Sequence, residues 1–124
     1  MNQIPADSTP NQQMTIRYGD DVLQLTVIWN SVGTHWYMDI FDVAEDAYVA
    51  QYVPLEVGTP IGRRLGREWV FMLADLSAEG FDPVSADEMG TRCVLLIGTL
   101  AEVVAEIDAE TAGAFAAAVN RAVL

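Results

Sequence analysis

Val22-Leu23-Gln24-Leu25-Thr26-Val27-Ile28-Trp29 sets Leu23, Leu25, Val27 and Trp29 on one face of an extended chain, with Gln24 and Thr26 on the other. That period of two reads as a strand with one side turned to a core. Upstream, Met14-Thr15-Ile16-Arg17-Tyr18 alternates in the same way, and Gly19-Asp20-Asp21 between the two runs supplies turn chemistry. The two runs therefore predict an antiparallel hairpin. Downstream, Asn30-Ser31-Val32-Gly33 is a second turn. It leads into Thr34–Val43, in which Trp36, Met38 and Ile40 share a face and Tyr37, Asp39 and Phe41 take the other. This strand is expected to be covered on both sides for part of its length.

The same vocabulary continues outward. Ala47–Val53 is another strand. Pro54–Pro60 is bracketed by prolines, which predicts an edge segment or a bulge. Ile61–Glu68 reads as irregular, and Trp69–Leu73 as a short strand. Asp75–Gly90 is a long loop of turn formers, of the kind that is often functional or mobile. Arg92–Ile97 is a continuous apolar run suited to a central strand. Short strands between turns predict a mainly β fold, a small antiparallel β-barrel or sandwich over residues 14–99. Residues 1–13 offer no face to bury and read as a flexible N-terminal arm. After Gly98, Thr99-Leu100-Ala101-Glu102 has the form of a capping box, and apolar residues then recur near helical spacing. Residues 100–124 therefore read as a C-terminal helical extension, strongest over 109–122. Gly113 and Asp108 allow a kink, and Ala101–Ile107 has extended β structure as an alternative.

Composition sets limits on function. The 124 residues are 52% hydrophobic, too apolar for a disordered chain despite a net charge of −12. One domain is expected at this length. Eighteen carboxylates face six cations, all of them arginine, whereas nucleic-acid binding needs a basic footprint. Neither specific nucleic-acid binding nor a membrane span, for which there is no long apolar run, is expected. Met1–Pro10 lacks the apolar stretch of a secretion signal, and the single Cys93 cannot form an internal disulfide, in keeping with a reducing compartment. Arg63, Arg64 and Arg67 fall in one short stretch. They read either as a contact for a carboxylate-bearing partner or, more plainly, as a loop pairing with the chain's own surplus acids.

Few residues offer chemistry. His35 is the sole histidine and has no neighbouring ligand set, so no metal site is expected. Cys93 lies in the most apolar strand, where a thiol acts as a small hydrophobe. Asp39 and Asp42 should point to opposite faces, which argues against a carboxylate pair and for turn capping or contacts with Arg17 or Arg92. There is no phosphate loop and no nucleophile elbow. These readings predict neither an enzyme nor a cofactor. Trp29, Trp36 and Trp69 are expected to fill a core. The alanine-rich stripe of the tail, including Ala114, Ala118 and Ala122, is expected either to dock on its own domain or to pack against copies of itself or a partner.

Trp29-Asn30, His35-Trp36-Tyr37-Met38-Asp39-Ile40-Phe41-Asp42, Val53-Pro54-Leu55-Glu56-Val57-Gly58 and Glu88-Met89-Gly90-Thr91 before Val94-Leu95-Leu96 together resemble the baseplate plug family of contractile-tailed bacteriophages, of the cyanophage type. The resemblance runs from about Met14 to Thr99. Glu56 stands where the family has an apolar residue, and Met89 where it has leucine. The resemblance implies a structural part of the tail baseplate that plugs or bridges the tube–hub channel before DNA ejection. It implies tail tube and hub or spike proteins as partners, a homo-oligomer such as a ring or trimer, and synthesis in the host bacterial cytoplasm before residence in the virion. Contact residues expected at a partner interface, chosen from the residues themselves, are Arg63, Arg64, Arg67, Phe81, Phe115 and Ala118. An alternative reading is a small acidic DNA mimic directed at a host nucleic-acid-binding enzyme, although the carboxylates cluster at turns and at the start of a helix rather than in rows. A small-ligand binding module would require a convergent polar pocket.

Overall fold

A computed structural model describes residues 1–77 and 82–109. Among the described residues, seven strands form two antiparallel sheets. The first sheet is a meander of β2 (Asn11–Tyr18), β3 (Asp21–Asn30), β4 (His35–Asp42) and β5 (Ala47–Pro54) in that order. The second has β7 (Cys93–Gly98) between β1 (Asn2–Gln3) and β6 (Val70–Asp75). The sheets are not closed into a barrel, so of the two predicted architectures the sandwich is the one found. β7 is central in its sheet, as its unbroken apolar run requires.

The alternation in the sequence sets the core. Leu23, Leu25 and Val27 of β3 and Met38 and Ile40 of β4 are fully buried, with Trp36 at 1% exposure. They face Phe71 and Leu73 of β6 and Cys93, Leu95 and Ile97 of β7. Trp69 is fully buried and its indole N–H donates to Asp21 Oδ2 at 2.8 Å, while Trp29 is partly buried and tilts against Trp36 with ring centroids 5.5 Å apart. β2 pairs with β3 without interruption from Asn11↔Ile28 to Tyr18↔Asp21, which leaves the two-residue turn Gly19-Asp20. Gly19 takes φ +58°, a left-handed value that glycine adopts without a Cβ clash.

The far side of the second sheet carries a second apolar layer. Val70, Met72 and Ala74 of β6 and Val94 of β7 pack with Val103, which is fully buried. Val103 belongs to α1, which begins at residue 100 and is helical to residue 109, the last described. The extended alternative for Ala101–Ile107 is thereby set aside, and this part of the tail docks on its own domain. The capping box forms: Thr99 N–H donates to Glu102 Oε1 at 3.0 Å and Glu102 N–H to Thr99 Oγ1 at 3.2 Å. The alanine stripe over 114–122 lies outside the described residues.

Residues 1–13 differ from the flexible arm expected of them. Asn2 and Gln3 pair with Ile97 and Leu96, Ile4 is 2% exposed in the inter-sheet core, and β2 already starts at Asn11. Ile4 supplies the apolar anchor and the open edge of β7 supplies the backbone partners, so ordering this segment needs no amphipathic pattern. Pro54–Pro60, with Ile61 after it, runs as an edge segment along β6. Leu55 is fully buried, Val57 bridges to Leu73, and Ile61 exchanges backbone hydrogen bonds with Phe71 at 2.8 and 2.9 Å. The segment covers the outer side of β6.

Candidate functional site

The arginine stretch divides in two. Gly62 (φ +85°) and Gly66 (φ +70°) bracket a single 3-10 turn, Arg63–Leu65. The left-handed backbone at both ends turns the chain sharply and leaves Arg63 and Arg64 exposed. Among the described residues neither forms an ion pair. They line a groove of about 700 Å³ with Val53, Thr59, Pro60 and Leu65. Arg67 turns the other way. Its guanidinium meets Asp42 Oδ2 at 3.0 Å and Glu45 Oε2 at 3.2 Å. Among the described residues, Arg67 of the three is the one that pairs with the chain's own acids.

Asp42 is 3% exposed, a carboxylate on the core face of β4. A buried charge needs partners. Arg67 supplies one, and the N–H groups of Ala44 and Glu45 donate to Asp42 Oδ1 at 3.0 and 3.2 Å, shaping the turn into β5. Its partner is therefore Arg67, not the Arg17 or Arg92 anticipated. Arg92 instead holds Asp75, itself 2% exposed, at 2.8 Å and Glu88 at 3.2 Å. Its hydrogen bond to Glu88 holds that carboxyl below its ordinary range.

These contacts fasten the described part of the long loop. Arg92 Nη2 also donates to the Asp82 carbonyl at 3.1 Å, and Asp82 Oδ1 accepts from Val57 N–H at 2.7 Å. Ser85 caps the 3-10 turn Ala86–Glu88. Of the other residues expected at an interface, Phe81, Phe115 and Ala118 lie outside the described residues.

Asp39 and Asp42 do point to opposite faces. Asp39 Oδ1 accepts from Tyr52 N–H at 2.8 Å, across a stretch where the β4–β5 register slips twice. Tyr52 has φ +55°, a strained value for a bulky residue, and is 72% exposed. Its ring packs edge-on to Tyr37 at 5.8 Å, and Tyr48 packs in the same way on Phe41 at 5.1 Å. Sequence reasoning missed this exposed aromatic row. The signals were Tyr37 and Phe41 on one face of β4 and the pair Tyr48 and Tyr52 on a strand that ends in Pro54.

Remaining chemistry is sparse. Burial pushes the Cys93 thiol up to about 11, the reverse of what a thiolate nucleophile needs. His35 Nε2 and Trp36 Nε1 are buried without a hydrogen-bond partner among the described residues. Among those residues no three His, Cys, Asp or Glu side chains converge to hold an ion, and no helix is long and apolar enough to cross a membrane.

Comparison with known proteins adds two findings. The model of a family described as "Cyanophage baseplate Pam3 plug gp18" matches residues 1–101, which takes in both sheets, the arginine turn and the capping box up to Ala101. No curated protein matches the chain.

Proposed function

Since the chain belongs to the cyanophage baseplate plug family, a structural part of the phage tail baseplate, we propose that it plugs or bridges the channel where tail tube and hub meet until DNA is ejected. The match over residues 1–101 carries the reading. It extends the resemblance seen in the sequence to the N-terminal segment that pairs with β7. Several features support a mechanical role. Asp42 and Asp75, the carboxylates buried among the described residues, are paired with arginines, and the two sheets enclose an apolar core. The partners are tail tube and hub or spike proteins, with further copies of the chain in a ring or trimer.

Arg63 and Arg64 are the contact residues best placed for this, because two exposed guanidinium groups without an ion-pair partner among the described residues, on so acidic a chain, are offered to a carboxylate-bearing surface. The net charge of −12 serves the channel in a second way, because an acidic wall repels passing DNA. Synthesis in the host cytoplasm precedes assembly into the virion.

Mass spectrometry of purified particles, together with a phage lacking this chain, tests the reading. Peptides of the chain are expected in intact tails, and particles without it are expected to lose DNA early or to stop at tube–hub joining. Absence from tails, with recovery on a host nuclease or polymerase instead, would favour the DNA-mimic alternative.

A further inference from the structure

Two open sheets have four edges, and three of them are blunted. β1 is only two residues long. The outer side of β6 is covered by the Val57 bridge and the Ile61–Phe71 hydrogen bonds. β5 is broken by two register slips, a left-handed Tyr52 and a terminal Pro54. Proteins use these same devices to stop strands from adding to an edge. β2 has none of them. It runs eight residues in unbroken register with β3 and contains no proline.

The ladder shows which of its groups are free. Trp29 N–H donates to the Pro10 carbonyl at 2.7 Å, so in this register position 10 faces β3. Hydrogen-bonded pairs recur every second residue in an antiparallel ladder, so Gln12, Met14, Ile16 and Tyr18 also turn their backbone groups toward β3. Gln13, Thr15 and Arg17 therefore turn theirs outward, and no further strand pairs with β2 among the described residues. The core-facing side chains of the same strand, Met14, Ile16 and Tyr18, are only partly buried. Arg17, the only charged residue on β2, is exposed and forms no ion pair among the described residues.

From this we infer that β2 accepts an added strand from another protein: an extended segment with alternating apolar side chains that continue the Met14–Ile16–Tyr18 row, and a carboxylate in the polar row opposite Arg17. A second copy of this chain is the poorer occupant. β2 contains no aspartate or glutamate to set against Arg17. The inference is independent of the baseplate reading.

A probe of this chemistry is a blocked eight-residue peptide of alternating valine and threonine with one glutamate placed to pass Arg17. Amide hydrogen exchange on the full chain by NMR is expected to slow at Gln13, Thr15 and Arg17 when the peptide is added. Exchanging the peptide's glutamate for glutamine weakens binding roughly two- to fivefold, the range of an exposed ion pair. Arg17→Glu reverses the preference toward a lysine-bearing peptide. Thr15→Pro removes an outward N–H without touching the β3 ladder and abolishes binding. A peptide N-methylated on its pairing edge, which leaves the protein unaltered, does not bind. The inference is overturned if the three amides are indifferent to the peptide, if the N-methylated peptide binds equally well, or if their protection rises with protein concentration alone.

Discussion

Arg67 and Arg64 lie three positions apart and differ entirely in what depends on them. Arg67 neutralises a carboxylate buried beneath the first sheet, and Arg64 projects into solvent. Arg67→Met leaves Asp42 short of its charged partner and is expected to cost about 1.5–3 kcal/mol, read as a lower urea midpoint at unchanged slope. Arg64→Ala is expected to stay within about 0.5 kcal/mol of the parent in the same titration. If both variants lose equal stability, the two guanidinium groups are not in different environments. The sequence showed three arginines close together but not which of them turns inward, because the Asp42–Arg67 pair joins positions 25 residues apart. Asp42 itself looked like a turn residue, and its N–H acceptances from Ala44 and Glu45 agree with that.

The elements most legible in the sequence are those whose side chains alternate. β3 and β4 could be read face by face because burial on one side of a strand imposes a period of two. β1 could not, since Asn2 and Gln3 contribute backbone hydrogen bonds and no apolar pattern. The bulge at Tyr52 was hidden for a similar reason: it depends on a carboxylate of the neighbouring strand.

The start of α1 was legible, because a capping box is written in four consecutive residues. Thr99→Ala is expected to cost about 1 kcal/mol, with reduced helical signal in circular dichroism. Glu102 also accepts a hydrogen bond from the Met1 ammonium at 2.7 Å, and that contact first, with the Thr99 bonds, lowers its pKa from 4.5 to about 2. A carboxyl depressed in the folded state stabilises the fold above its unfolded value, and the contribution is lost as pH falls through the folded one. Melting temperatures of the parent and Glu102→Gln should therefore differ most above pH 4.5 and converge toward pH 2. A gap that persists unchanged at pH 2 would contradict this.

For the molecule as a whole, charge and connectivity dominate. With a net charge of −12 the folded body repels itself, so added salt is expected to raise the melting temperature by screening. A flat or falling response up to 0.5 M, a screening length of about 4 Å, would show that the acids are already compensated locally. In phage carrying Asp87→Arg, Glu56→Arg and Glu68→Arg, all exposed positions, slower DNA release is expected in an ejection assay if the acidic wall keeps DNA from adhering. The order of strands has a further consequence. The β2–β5 meander joins only neighbours in sequence, so it can form while the chain is still on the ribosome. The other sheet cannot, because its middle strand is the last of the described strands to emerge and its first strand must wait for a partner some 95 positions later, Asn2 for Ile97. Until Cys93–Gly98 leaves the exit tunnel, the nascent protein is half a sandwich with one bare greasy face, and this is the interval in which a chaperone has most to protect.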